Sequence, residues 1–355
     1  MVSCIIAAIG IGVVLLFGCL GETLNEKAGH LNLGMPGIMC MGTFGGCFGV
    51  ELYLKNLPDA VTTAVGVPVT GDKIAQEMFV TNMHNISNPS WIAVFLLAVF
   101  FAMLFAAFGG LIYAFLTVTL RCNQNITGLA LTTFGAGFTD YFMGTLTKRG
   151  FNYASVVLRR SLVDIFPSFG KLGWFADIFL SHGILVYIAI ALAIIMAILL
   201  KKSRVGLNLR AVGENPATAD AAGININAYK YVAILIGAAI AGLGGLYYVM
   251  CESKGSWMNS STIQAFGWLA IALVIFAVWK PDLAIAGSVV FGFLYVFNSY
   301  SSAFGIKLPS LASGRIVELL PYVITIIVLI VTSIVGKKET QPPASLGINY
   351  FREER

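Results

Sequence analysis

Four apolar stretches, residues 91–120, 184–200, 231–250 and 316–335, each approach or exceed the roughly 20 residues that a helix needs to cross a hydrocarbon core. A chain carrying several such runs must satisfy its backbone polar groups inside the bilayer, which only helices and closed barrels do. Runs of this length belong to helices. The composition agrees: 11% of the 355 residues are charged, against about 25% in a soluble domain, and the mean hydropathy is +0.85.

Five further stretches are apolar but interrupted or flanked by small and polar residues: 2–20, 33–54, 126–146, 263–279 and 283–300. Residues 2–20 lack a basic leader region and a small-x-small cleavage site, so they read as a first transmembrane helix and not as a signal peptide. The fold class is therefore all-α, a polytopic bundle of about nine spans. The stretch 33–54, interrupted by glycines and Pro36, is either a full span or a broken, re-entrant helix. Residues 1–335 form one membrane domain, with a basic loop at 203–229 and a tail at 336–355. Placing the 203–229 loop in the cytoplasm puts more than half of the 22 Lys and Arg there and leaves few in the short outer loops.

The same composition excludes other classes. A net charge of +5 is spread without a basic block, so nucleic acid is not a partner. The 6 cysteines form no C-x-x-C pair and read as packing residues. His30, His84 and His182 are far apart in sequence, which leaves no metal motif and reads them as ordinary loop histidines. With no G-x-S-x-G elbow and no phosphate-binding loop, no catalytic residue, metal or cofactor is expected, and any ATP is handled by a partner. One weak echo, Phe108-Gly-Gly-Leu-Ile-Tyr113 against Leu243-Gly-Gly-Leu-Tyr-Tyr248, fits an inverted repeat or simply small residues that let helices approach.

Two segments do not read as ordinary spans. In the first, Glu22, Asn25, Glu26 and Asn32 lie between two hydrophobic runs. If the first helix continues, Glu22, Asn25 and Glu26 share one face, which would border an aqueous path or a neighbouring subunit; otherwise 22–32 is a short solvated loop with Glu26 and Lys27 in water. In the second, 203–229, Asn215 is a good N-cap, Pro216 suits a first helical position, 217–222 favours helix, and Gly223 can close the end in a left-handed conformation. A capped, alanine-rich surface helix either fits a partner's groove or is only a structured connector.

Three motifs carry a resemblance. Asn25-Glu-Lys-Ala-Gly-x-x-Asn-Leu-Gly-x-x-Gly37 resembles the N-terminal signature of permease subunits of bacterial ABC importers, in the group with ribose-type and branched-chain amino acid permeases. Gly206-Leu-x-Leu-Arg-Ala-Val-Gly-Glu-Asn-Pro-x-x-Ala-x-x-Ala-Gly-Ile224 resembles that group's cytoplasmic coupling segment. Ala241-Gly-Leu-Gly-Gly245, Trp279-Lys-Pro281 and Phe291-Gly292 resemble its C-terminal helices. Within the group, Gly21-Glu-Thr-Leu-Asn-Glu26 and the stretch from Arg121 to Gly135 look most like nucleoside-importer permeases served by a lipoprotein receptor. The outer loops 57–90 and 148–182 are longer than that pattern.

The resemblance implies an alternating-access pore in a bacterial cytoplasmic membrane. It would be built from two permease subunits, identical or related, driven by separate ABC ATPase subunits and fed by an extracellular substrate-binding lipoprotein. The coupling residues it implies are Arg210, Gly213, Glu214, Asn215, Pro216, Ala219, Ala222 and Gly223. Ala219, Ala222 and Gly223 are expected on the surface of the coupling helix, with Arg210 and Glu214 fixing the loop around it. For the substrate pathway the polar residues Glu22, Asn25, Asn32 and Asn298 are the candidates, with Phe134 as a ring on which a nucleobase could stack. Sugars and branched-chain amino acids are alternative cargoes. A secondary transporter driven by an ion gradient is the alternative class, and Asp140 or Glu318 would be its coupling carboxylate.

Overall fold

The structure is a computed structural model that describes residues 2–55, 90–148, 150–166, 173–300, 319–335 and 341–351. Most of the outer loop 57–90, as well as Glu318, lies outside the described residues. Each apolar stretch read from the sequence contains a helix. These helices are α1 (Val2–Lys27), α2 (Met35–Leu54), α3 (Trp91–Ala114, continued by a π turn Phe115–Thr119), α4 (Gln124–Thr145), α7 (Ile184–Lys202), α10 (Ile226–Tyr247, continued by Tyr248–Glu252), α11 (Ser261–Phe276), α12 (Pro281–Tyr300) and α13 (Leu320–Val335). Short helices α5 (Phe151–Arg159) and α6 (Leu162–Ile165) lie between α4 and α7, whereas α8 (Arg204–Glu214) and α9 (Pro216–Ala221) lie between α7 and α10. Among the described residues there is no strand, only an isolated bridge between Ser161 and Gly183. Among the described residues, five helices are long and apolar enough to span by length and composition alone.

Burial separates the centre of the bundle from its rim. The apolar window of α2 is 83% buried, against 28% for that of α3. α2 packs on α3, α4, α10 and α11, and α1 on α10, α11 and α12. On α3 the side chains Leu96, Phe100, Phe108 and Phe115 are exposed, and on α7 so are Ile194, Ile195, Ile198 and Leu199. Such faces are stable in hydrocarbon and not in water.

The central contacts are made by small residues. A methyl group at Gly42 of α2 would land on the backbone of Gly242 in α10, and one at Gly242 on Ala106 of α3. Gly12 of α1 lies against the Ser288 carbonyl of α12 in the same way. Close approach of this kind is what holds helices together when the surroundings are as apolar as the side chains. The echo between residues 108–113 and 243–248 has this meaning locally: Gly110 meets Ala238, while Gly245 meets the backbone of Met39.

The glycines and Pro36 do not break α2. The helix runs unbroken from Met35 to Leu54, with the proline at its first turn, where a missing N–H costs nothing. Successive helices alternate in direction, so the turns 28–34, 120–123, 203–225 and 277–280 share one end with residues 343–350. Hydrogen bonds from Ser345 N to Gly213 O and from Gly347 N to Gly29 O tie them. This end also carries Lys27, Arg121, Lys201, Lys202, Arg204 and Arg210, the excess expected of a cytoplasmic face. At the other end Asp140 accepts from Ser260 N (2.9 Å) and Ser260 Oγ (2.7 Å), which holds the start of α11 against α4.

Candidate functional site: the cytoplasmic end

α1 does not stop at the first polar residue. It continues to Lys27, and Glu22, Asn25 and Asn32 are wholly buried, with Glu26 2% exposed. The solvated-loop reading of 22–32 is thereby corrected: the helix persists with both carboxylates partnered inside the bundle, although Asn25 Oδ1 and Asn32 Nδ2 are buried without a partner among the described residues. Glu22 Oε2 accepts from Asn25 Nδ2 at 2.9 Å and Oε1 from Asn32 N at 2.9 Å. Asn32 Oδ1 in turn accepts from Gly34 N at 3.0 Å, so one carboxylate fixes both the end of α1 and the start of α2. Gly29 (φ +82°) makes the reversal between them, a conformation open to glycine at little cost.

Glu26 accepts from the indole Nε1 of Trp279. The turn between α11 and α12 aims that ring: Val278 and Trp279 both have φ of 53°, left-handed conformations that disfavour residues with a Cβ. Backbone bonds from Trp279 N to Val274 O (3.1 Å) and Lys280 N to Ala277 O (3.0 Å) hold the turn, and Pro281 starts the next helix. Residues 31 and 33 are tied outward as well. Leu31 N donates to Gln124 Oε1 (2.9 Å), Tyr113 OH to Leu31 O (2.7 Å), and Thr132 Oγ1 to Leu33 O (2.8 Å). His30 is 1% exposed with no hydrogen-bond partner on either ring nitrogen. Burial, with the Lys230 charge beside it, holds its imidazole well below the usual histidine range.

The segment 203–225 folds as its residues dictate. Asn215 caps α9 by accepting from Thr218 N at 3.0 Å, Pro216 occupies its first turn, and Gly223 closes it at φ +80°. Ile224 N then returns to Ala219 O at 3.0 Å. One expected surface residue is not on the surface: Ala219 is 2% exposed, packed with Val212 and Ile226. Ala222 and Gly223 are exposed, as are Arg210, Glu214 and Asn215. Gly213 is buried, and a methyl group there would strike the Lys27 carbonyl, so its role is close approach of α8 to the end of α1.

The tail, read from sequence only as a cytoplasmic extension, is part of this site. Ser345 N donates to Gly213 O at 3.1 Å, Tyr350 OH to Asp220 Oδ2 at 3.0 Å, and Asn349 Nδ2 to Arg121 O at 2.7 Å. Of the pathway candidates, Glu22, Asn25 and Asn32 come together, sealed from water. Phe134 is not with them: it is 50% exposed on the rim of α4, stacked on Phe138 at 6.0 Å. Asn298 lies on α12, and its side chain is outside the described residues. Sequence reasoning missed Trp279, Gln124 and the tail. Trp279-Lys-Pro281 was visible as a motif, but only the fold sets the indole against Glu26.

A polytopic helical bundle that presents a capped surface helix at its basic end, tied by its neighbours to the apolar helices, has the architecture of a multi-pass membrane protein. The chain belongs to the family described as the permease component of the branched-chain amino acid transport system, whose model matches residues 4–331. It is similar to the nucleoside ABC transporter permease protein NupC of Lactococcus lactis, 29% identical over 96% of this chain and 94% of that one. The guanosine ABC transporter permease protein NupQ of Bacillus subtilis is 28% identical over the same shares, 96% and 94%. TsgC13 of Haloferax volcanii, provisionally named a glucose ABC transporter permease protein, is 29% identical over 91% of this chain and 89% of its own. No solved structure matches. The protein is thus a multi-pass membrane permease with a transport role.

Proposed function

We propose that this chain is a translocation subunit of a nucleoside importer. It pairs with a second permease, is driven by separate ATPase subunits that grip α8 and α9, and receives cargo from an extracellular binding protein. The observation that carries the coupling role is α9 itself, a helix capped at both ends that leaves Ala222, Gly223, Arg210 and Glu214 exposed at the basic end of the bundle. An ATPase groove that receives such a helix moves α8 with it, and α8 is in backbone contact with the end of α1 through Gly213. The nucleoside assignment rests on the names of two relatives aligned over nearly the whole chain, and the name of TsgC13 supports a sugar as the second reading.

Membranes of cells expressing the transporter, assayed for uptake of radiolabelled guanosine, uridine and glucose with and without this chain, decide the cargo. Nucleoside uptake lost on deletion and restored by the gene is the expected result, and loss of glucose uptake alone overturns it. Co-purification in mild detergent tests the ATPase: it should accompany the wild-type chain and be lost from Ala222→Glu. A chain that purifies alone and transports under an ion gradient refutes the importer reading.

A further inference from the structure

At the cytoplasmic end a recess opens between the turn after α1, the end of α3, the first turn of α10 and the tail. Its walls include His30, Arg121, Asn227, Lys230, Asn349 and Tyr350. Two of these are cations, and among the described residues no carboxylate side chain lines the recess. Lys230 is 4% exposed, yet the ion pair found among the described residues is elsewhere, between Lys201 and Asp282. The stem of Lys230 is buried and the residue lines the recess, so an anion entering there would give its ammonium the counter-charge that no described carboxylate supplies. His30, in the same wall, is 1% exposed and has two unpaired ring nitrogens. The N-terminus of the long helix α10 begins here too. Asn225 caps it by accepting from Ala228 N (3.1 Å), while its positive dipole end faces the recess.

We infer that this recess is a binding site for a phosphate group, held by Lys230 and Arg121 and reached by His30. The recess has about 10 Å³ of room for a water-sized atom, within about 240 Å³ of space between its walls that includes open solvent. That size admits one oxygen of an oxyanion deep in the recess and excludes a whole nucleoside, so the site is not a station for cargo. Asn349 and Tyr350 form its cover, and the same two residues bond to the Arg121 carbonyl and to Asp220 beside α9. A bound phosphate therefore steadies the tail on the coupling segment. The group has two sources, free phosphate in the cytoplasm or the headgroup of an anionic lipid of the inner leaflet, and both present the same oxygens.

The full-length chain, purified in mild detergent, is unfolded by heat in sodium phosphate against sodium chloride of equal ionic strength, and in micelles doped with phosphatidylglycerol against phosphatidylcholine. A saturable rise of the unfolding midpoint is expected. A response to inorganic phosphate identifies the free ion, and a response to phosphatidylglycerol alone identifies the headgroup. Arg121→Gln and Lys230→Gln each raise the half-saturating concentration about tenfold or more, and Lys201→Gln, at an exposed cation of the same end, leaves it unchanged. Lys230→Gln also keeps or raises the midpoint measured without ligand, because it removes a cation that has no ion pair among the described residues, where a purely structural lysine would lower it. No saturable shift with either probe, or an unchanged shift in Arg121→Gln, overturns the inference.

Discussion

Gly42 offers the sharpest test of how the bundle is held together. Replacing a helical glycine with alanine gains about 0.5–1 kcal/mol of helix stability. At Gly42 the new methyl group would meet the Cα and carbonyl of Gly242. Those atoms are backbone, so no rotamer change relieves the clash and α2 and α10 must part. Overpacking of this kind costs about 1–3 kcal/mol, and parting the helices also loosens Gly242 from Ala106. Setting gain against cost leaves Gly42→Ala destabilised by about 0–2.5 kcal/mol, centred at about 1 kcal/mol, a fall in midpoint of a few degrees. Gly137 is the matched control, since it lies in α4 on an exposed face with nothing within 4 Å of its would-be Cβ, and Gly137→Ala should keep or raise the midpoint. Cys4, Cys19, Cys40, Cys47 and Cys251 are buried free thiols, so a thiol-reactive fluorophore reports unfolding directly. Equal midpoints for the two variants, or a higher one for Gly42→Ala, would refute the claim that backbone contact between α2 and α10 sets the packing.

Three further outcomes follow from the cytoplasmic end. Trp279→Phe removes the donor to Glu26 inside the bundle and should cost about 1–3 kcal/mol. A double-mutant cycle with Glu26→Met, which removes the acceptor, should show most of that cost as coupling, and additive costs would contradict the bond. Ala219→Glu places a charge against Val212 and Ile226 and should lower the yield of folded protein. Ala222→Glu, at an exposed position, should leave the midpoint unchanged while losing the ATPase, so equal midpoints for the two would argue against the orientation of α9. His30 gives an acid signature. Its folded-state pKa lies well below 6.5, so below the ordinary value the unfolded chain takes up a proton that the folded chain does not. Stability is then full above about pH 6.5 and falls as pH drops below it. His30→Gln should flatten the midpoint between about pH 7 and 5.5, and an unchanged slope would remove His30 as its source.

The elements were legible because membrane helices are written as long apolar runs, and each such stretch contains a helix. Legible too was α9, because its cap, its first-turn proline and its closing glycine are local signals that act within a few residues. What hid was anything settled by distant partners. Glu22 and Glu26 read equally well as a solvated loop, since helix continuation depends on Asn32 and on Trp279, the latter 253 residues away. Ala219 was expected outside because a six-residue helix shows no periodicity by which to choose its buried face. The tail looked like a solvated extension, and only the fold reveals that Ser345, Asn349 and Tyr350 find partners on Gly213, Arg121 and Asp220.

If an ATPase grips α9 as proposed, the path of its force into the bundle follows from which contacts are stiff. Side chains on a loop absorb a displacement by changing rotamer, whereas backbone packed on backbone cannot. At the cytoplasmic end the stiff contacts converge on the turn after α1. Gly213 of α8 lies on the Lys27 carbonyl, the tail bonds both Gly213 O and Gly29 O, and Glu22 clamps the turn to α1 through Asn32 N. From there α1 runs through the centre of the bundle, in glycine-mediated contact with α12 at Gly12 and with α10 at Gly21. Moving α8 by more than a bond length must therefore either carry α1 along or break the tail's bonds to Gly213 and Gly29. A pull transmitted through α1 acts on the packing of α10 and α12 at once. A pull absorbed by the tail acts on nothing, which is why the bonds of Ser345 and Gly347 are the place where coupling would be lost first.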